Sequence, residues 1–198
     1  MYGEEIRMEP RLLMPHPADE PLQHVAIDSA VHVSGGVLFL EWNLTDPTGQ
    51  VQLAEPAAAP GMRDGLWLET CFEAFLATND QPCYWELNVS PAGHWNLFRF
   101  AAYRLPAETA CPVRSVTVRR RDTAEGLVLE AELPLSRLAL STTGLEFGLT
   151  AMLYTRDGRR GHWALHHPGG TPDFHLRDGF RMSLPDSHRA FLQDDAEL

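Results

Sequence analysis

No stretch of about 18 consecutive apolar residues occurs in this chain, so no membrane-spanning helix is expected. The start, MYGEEIRMEPRLLMPHP, is acidic and has no continuous apolar segment of the kind a secretory signal needs. Three cysteines, Cys71, Cys83 and Cys111, are too few and too irregularly spaced for a zinc or redox motif. Basic residues are outnumbered. The net charge is −11 and the isoelectric point about 5.2, and the densest basic run, Arg119–Arg121, is short. Phosphate backbones would be repelled, so nucleic acid is not an expected partner. Phosphate loops, a Gly-x-Ser-x-Gly elbow, a Ser-His-Asp motif, internal repeats and low-complexity segments are also lacking. These absences point to a cytoplasmic protein with reduced thiols, and 198 residues suffice for one domain with a full core.

What is present is a period of two. HVAIDSAVHV and VLFLEWNLT flank Ser34-Gly35-Gly36 and read as a hairpin. The Pro/Ala/Gly stretch 54–65 reads as a surface loop. LWLETCFEAFLAT, CYWELNVS and WNLFRFAAY then form a meander through turns at NDQP and PAGH. VRSVTVRR with LVLEAELPL, and LEFGLTAMLYTR with HWALHH, make two further hairpins. LSRLAL suggests one helical turn, GFRMSLP a last strand, and residues 186–198 a tail that is a short helix or frayed. Roughly ten strands with Gly/Pro turns and almost no helical pattern predict an all-β fold. The expected form is a single antiparallel β-sandwich, of jelly-roll or immunoglobulin-like type, with its core between about residues 10 and 185.

Alternation assigns faces. Leu66, Leu68, Thr70, Phe72, Ala74 and Leu76 form one face of the first meander strand. Trp67, Glu69, Cys71, Glu73 and Phe75 form the other, with Cys71 read as a small core residue. In the next strand Tyr84, Glu86, Asn88 and Ser90 oppose Trp85, Leu87 and Val89. Near residue 150 the second face carries Met152, Tyr154 and Arg156. Aromatic rings beside carboxylates, an amide and a guanidinium suit a polyol, with rings on its C–H face and polar groups on its hydroxyls. The same residues would also serve a half-buried packing face.

The segments GLWLETCFEAFL, YWELNVSPAGHWNLFRF and WALHHPGGTPDFHLRDGF resemble DOMON-like proteins related to family 9 carbohydrate-binding modules, in a stand-alone bacterial-type subgroup. Tyr84, Glu86, Ser90, Pro91 and Gly93 match the Tyr-x-Glu and Ser-Pro-x-Gly pattern of that group. The resemblance spans about residues 60 to 185. It implies a sandwich whose concave face binds a sugar or, in other DOMON branches, a haem. Trp67 and Trp163 are the candidate sugar-stacking tryptophans, chosen from this sequence rather than carried over from a family position.

Four histidines crowd residues 162–175. Alternation separates His162 and His166 from His167, and about 13 Å of strand lies between the first two, too far for one metal. A site from His166 or His167 with Asp173 and His175 would need an unusual loop. A haem would need a Met and a His on opposing walls, with Met152 and His162 or His166 as candidates. Otherwise Pro168-Gly169-Gly170 and Thr171-Pro172-Asp173 make tight turns, Asp173 pins the loop, and Phe174 and Leu176 plug the sandwich end. On that reading Trp163, His166, His167, Asp173 and His175 rim a site shared with Arg156 and the carboxylates.

Glu69, Glu73 and Glu86 invite a glycosidase reading, but Glu69 and Glu73 are about 13 Å apart along a strand, long for such a pair. The expectation is a non-catalytic module that binds a carbohydrate or similar polyol. The alternatives are a metal- or haem-binding protein, a protein-interaction module, and a glycoside-processing enzyme. Calcium could support a loop, although no calcium motif is readable.

Overall fold

The computed structural model describes residues 5–78, 81–138, 140 and 144–184. The tail 186–198 and part of the NDQP turn lie outside them. Among the described residues there are thirteen strands and only short 3-10 turns. The strands are β1 (Ile6–Arg7), β2 (Arg11–Pro15), β3 (Ala26–Ser34), β4 (Val37–Thr45), β5 (Cys71–Thr78), β6 (Tyr84–Val89) and β7 (Trp95–Ala102). They continue with β8 (Leu105–Pro106), β9 (Thr117–Thr123), β10 (Gly126–Pro134), β11 (Leu145–Tyr154), β12 (Arg160–Ala164) and β13 (Met182–Ser183). All pairings between them are antiparallel.

The hairpins and the meander form where the alternation and turn residues place them. Ser34 pairs with Val37 across Gly35 and Gly36, whose φ values of 56° and 73° make the two-residue turn that matches strand twist. Residues 135–137 form a 3-10 turn, as LSRLAL suggests, and GFRMSLP supplies the two-residue β13 against β11.

The strands run in the order β8-β7-β6-β5-β11-β12-β2-β3-β4-β10-β9. β8, β7, β6, β5, β11 and β12 form one layer and β3, β4, β10 and β9 the other. β2 joins them, pairing with β12 on one side and β3 on the other. The alternation does not announce β2: Leu12 and Met14 stay about half exposed while Leu13 is fully buried. β1 and β8 are too short to carry a period.

Between the layers, Trp42 of β4 meets Phe72 of β5 at 5.9 Å between ring centres. Leu38, Leu40, Leu76, Leu87, Leu129, Phe147 and Leu149 fill the space around them. Each such side chain contributes about 1.5–3 kcal/mol by leaving water. β5 is buried along its whole length. Its outer face carries a second, smaller core in which Phe75, Ala77, Tyr84 and Phe180 pack with Phe100 and Phe174. Gly148 makes this possible, because a Cβ there would lie 2.7 Å from the Phe180 ring. The segment after β12 therefore lies over the outer face of β5, β6 and β11, and what it leaves uncovered is a cleft.

Two sequence expectations change here. β5 begins at Cys71, not at Leu66. Gly65, at φ 73°, turns the chain into a 3-10 turn over Leu66–Leu68, which buries Leu66 and leaves Trp67 and Leu68 exposed. Trp163 points into the main core and is 4% exposed, because β12 closes against β2 with that face inward.

Candidate functional site

The cleft has a volume of about 460 Å³ and lies on the outer face of the β5–β6–β7–β11 layer. Register explains its floor. Glu73 lies opposite Asn88, Phe75 opposite Glu86, and Glu86 opposite Phe98. Glu73 and Glu86 are therefore diagonal neighbours on one face, within reach of each other's side chains. Both are nearly buried, at 5% and 7% exposure. Aromatic walls come from Trp67, Phe98, Phe100 and Phe174, with the Trp67 and Phe98 rings 5.8 Å apart and edge to face. Arg104, Met152, His162, Pro172, Asp173 and His175 complete the lining, with Pro106 at the rim.

The polar groups form a connected chain. The Asn88 amide donates to Glu86 at 2.6 Å, and its carbonyl oxygen accepts from the Cys71 thiol at 3.4 Å. Thr150 donates to one oxygen of Glu73 at 3.3 Å. The Tyr84 hydroxyl accepts the Arg104 backbone N–H at 3.1 Å and lies 2.7 Å from His175 Nδ1. With the tyrosine proton directed at Nδ1, the imidazole carries its own proton on Nε2, 3.7 Å from Glu86. Asp173 ties the loop to the β7–β8 turn. It accepts the Arg104 guanidinium at 2.7 Å, the Tyr103 hydroxyl, and the His175 backbone N–H at 3.0 Å. Arg104 has a φ of 52°, a left-handed conformation that a side chain other than glycine adopts at a cost. Its bonds to Tyr84 and Asp173 hold it there. At the other end, Asp19 accepts the backbone N–H of His162 at 2.6 Å and lies 3.1 Å from its Nδ1, which leaves Nε2 for the cleft.

These surroundings set charge states. Burial, and then the neighbouring Glu86, push Glu73 well above the usual carboxylate range, against the pull of Thr150 and Arg104. Burial also raises Glu86, with Asn88 and Arg104 opposing. His175 is brought down to about 4 by burial first and Arg104 second, so it is neutral at physiological pH. Burial works to raise Asp173, but the bonds from Tyr103, Arg104 and the His175 amide outweigh it and hold the carboxyl below its ordinary value.

Of the residues that the sequence offered for ligand binding, the structure brings together five, Trp67, Glu73, Glu86, Asp173 and His175, as cleft lining, and Met152, His162 and Phe174, named there in other roles, line it too. Tyr84 and Asn88 stand directly behind them. Others lie elsewhere. Glu69, off the strand, pairs with Arg63 on the surface. Tyr154 bonds the Trp67 carbonyl oxygen through its hydroxyl and stacks with Arg160. Arg156 lies past the end of β11, and its Nε donates to Gly49. Trp163 belongs to the core. His166 is exposed, and His167 bonds the Met14 carbonyl oxygen.

Alternation in a recognised strand would have found Phe98 and Phe100, which pair with Glu86 and Tyr84. Arg104 sits in a tight turn, and no local pattern marks it. Among the described residues no three His, Cys, Asp or Glu side chains gather to hold a metal ion. Met152 and His162 both line the cleft, but they are paired across the β11–β12 ladder and rise from the same wall. Axial ligands must approach a haem from opposite sides, so this pair does not fit one. His166, the alternative partner, lies exposed beyond β12.

No protein-family model matches the chain, and no curated protein does. Among solved structures, a Bacteroides uniformis protein proposed to bind carbohydrate is similar over 87% of this chain and 84% of its own, at 16% identity and a TM-score of 0.57. A family 9 carbohydrate-binding module from Caldicellulosiruptor kristjanssonii, solved with cellotriose, is similar over 80% of this chain and 74% of its own, at 13% identity and a TM-score of 0.53. The same organism's family 9 module with glucose covers 80% of this chain and 76% of its own, at 12% identity and a TM-score of 0.52. The chain thus has a β-sandwich fold like that of family 9 modules.

Proposed function

We propose that this protein is a non-catalytic binding module of the DOMON-like, family 9-like kind, and that it takes a carbohydrate or similar polyol in the cleft on the outer sheet face. One observation carries the reading: four aromatic side chains wall a cleft whose floor and end present Glu73, Glu86, His175, His162 and Arg104. Stacking on Trp67 or Phe98 would cover the apolar face of a sugar ring, while the carboxyls, imidazoles and guanidinium would take its hydroxyls. A volume of about 460 Å³ is in the range of small-ligand sites. The two family 9 structures solved with sugars support the reading through their shared fold.

Trp67 is 44% exposed at the cleft wall and serves as a fluorescence reporter. Titration with glucose, cello-oligosaccharides and glucosamine should change the emission saturably for at least one of them. Trp67→Ala and Phe98→Ala should each weaken binding about tenfold or more, a loss of at least 1.4 kcal/mol. If calorimetry finds no binding of any of these sugars, the proposal is wrong.

A further inference from the structure

We propose, building on the carbohydrate reading of this cleft, that its ligand is an amino sugar whose protonated amine sits over Glu73 and Glu86 inside the aromatic wall. Two carboxyls share the floor, and neither is paired with an arginine among the described residues. The nearest guanidinium, Arg104, is held by Asp173. The chain contains no lysine. Thr150 donates to one oxygen of Glu73, while the other has no hydrogen-bond partner among the described residues on a side chain that is 95% buried and lines the cleft. A buried acidic floor with an unused acceptor is incomplete as a neutral-polyol site. A hydroxyl can bond to a carboxylate but cannot balance its charge, whereas an ammonium does both.

The walls favour the same chemistry. The faces of Trp67, Phe98, Phe100 and Phe174 are electron-rich and attract cations, which adds to the pull of the floor. An anionic sugar would meet two acids below and a chain of net charge −11 around it. The groups that face the pair are His175, Tyr84, Arg104, Asp173, Thr150, Asn88, Cys71 and His162. Of these only Arg104 is a fixed cation.

The experiment is calorimetry of the intact protein with glucosamine, N-acetylglucosamine and glucose near neutral pH. Glucosamine should bind about tenfold or more tightly than the two neutral sugars. In Glu73→Gln, and separately in Glu86→Gln, that preference should shrink to about twofold or less. The wild-type comparison needs no variant, so a poorly folding mutant does not spoil it. If glucose or N-acetylglucosamine binds as tightly as glucosamine, the amine is not recognised and this inference falls while the carbohydrate reading stands. If none of the three binds, this inference falls, and the carbohydrate reading falls with it only if cello-oligosaccharides fail to bind as well.

Discussion

Glu73 and His175 sit in one cleft and make stability depend on pH in opposite senses. The ordinary value for histidine is 6.5, and His175 in the fold is down at about 4. Between these values the unfolded chain binds the extra proton, so the stability that comes from neutral His175 is full above 6.5 and is lost as pH falls toward 4. Glu73 and Glu86 are raised above their ordinary 4.5, so the folded state holds the protons, and stability is lost as pH rises above 4.5 toward their folded values. Glu73→Gln removes part of the second loss. The variant should gain on the wild type as pH increases, reaching a difference of about 1–3 kcal/mol at about pH 8, the usual cost of an uncompensated buried polar group. Urea midpoints at about pH 5 and about pH 8 measure it. A constant offset between the proteins would mean that Glu73 carries no buried charge.

The floor of the cleft rests on strands, and the period of two made it legible. Phe72, Ala74 and Leu76 face the core, Glu73 and Phe75 face away, and the same split holds in β6 and β11. The end wall rests on turns and on the segment after β12, and there periodicity carries no information. Trp163 was chosen as a candidate stacking residue, and alternation could not correct that choice because it does not tell which face of β12 closes inward. The inward face follows from β2, a neighbour 148 residues away in register terms, since Trp163 pairs with Pro15. Arg104 escaped notice because its role comes from a turn conformation and a partner on another loop. The covering segment depends on Gly148. Gly148→Ala would drive a methyl into the Phe180 ring and should cost about 1–3 kcal/mol by overpacking. It should also speed proteolysis within residues 165–181, because Phe180 anchors that stretch. Thermal unfolding and limited digestion with mass mapping read the two effects.

At the scale of the molecule, the sequence carried the all-β class through its hairpins and turns, but it did not carry closure. The layers are one continuous hydrogen-bonded surface because β2 belongs to both. Neither layer has a face it can bury alone, so separate melting of the two is not expected. Scanning calorimetry should give one transition whose calorimetric and van't Hoff enthalpies agree within about 10%. Two resolved transitions would mean that the layers fold independently. No helix among the described residues is long and apolar enough to cross a membrane, and the strands account for the architecture.

The shared strand also gives the molecule a grain, as timber has one. β2 meets β12 through two residue pairs and β3 through three, while β3 and β4 are stitched through nine. Under a load that pulls the layers apart, the seam at β2 gives first and the long ladders hold. The strand laid bare by that split is β12, which carries His162 at the cleft wall. Tension across the sandwich would thus reach the cleft before it tears either layer, which couples mechanical strength to the integrity of that surface.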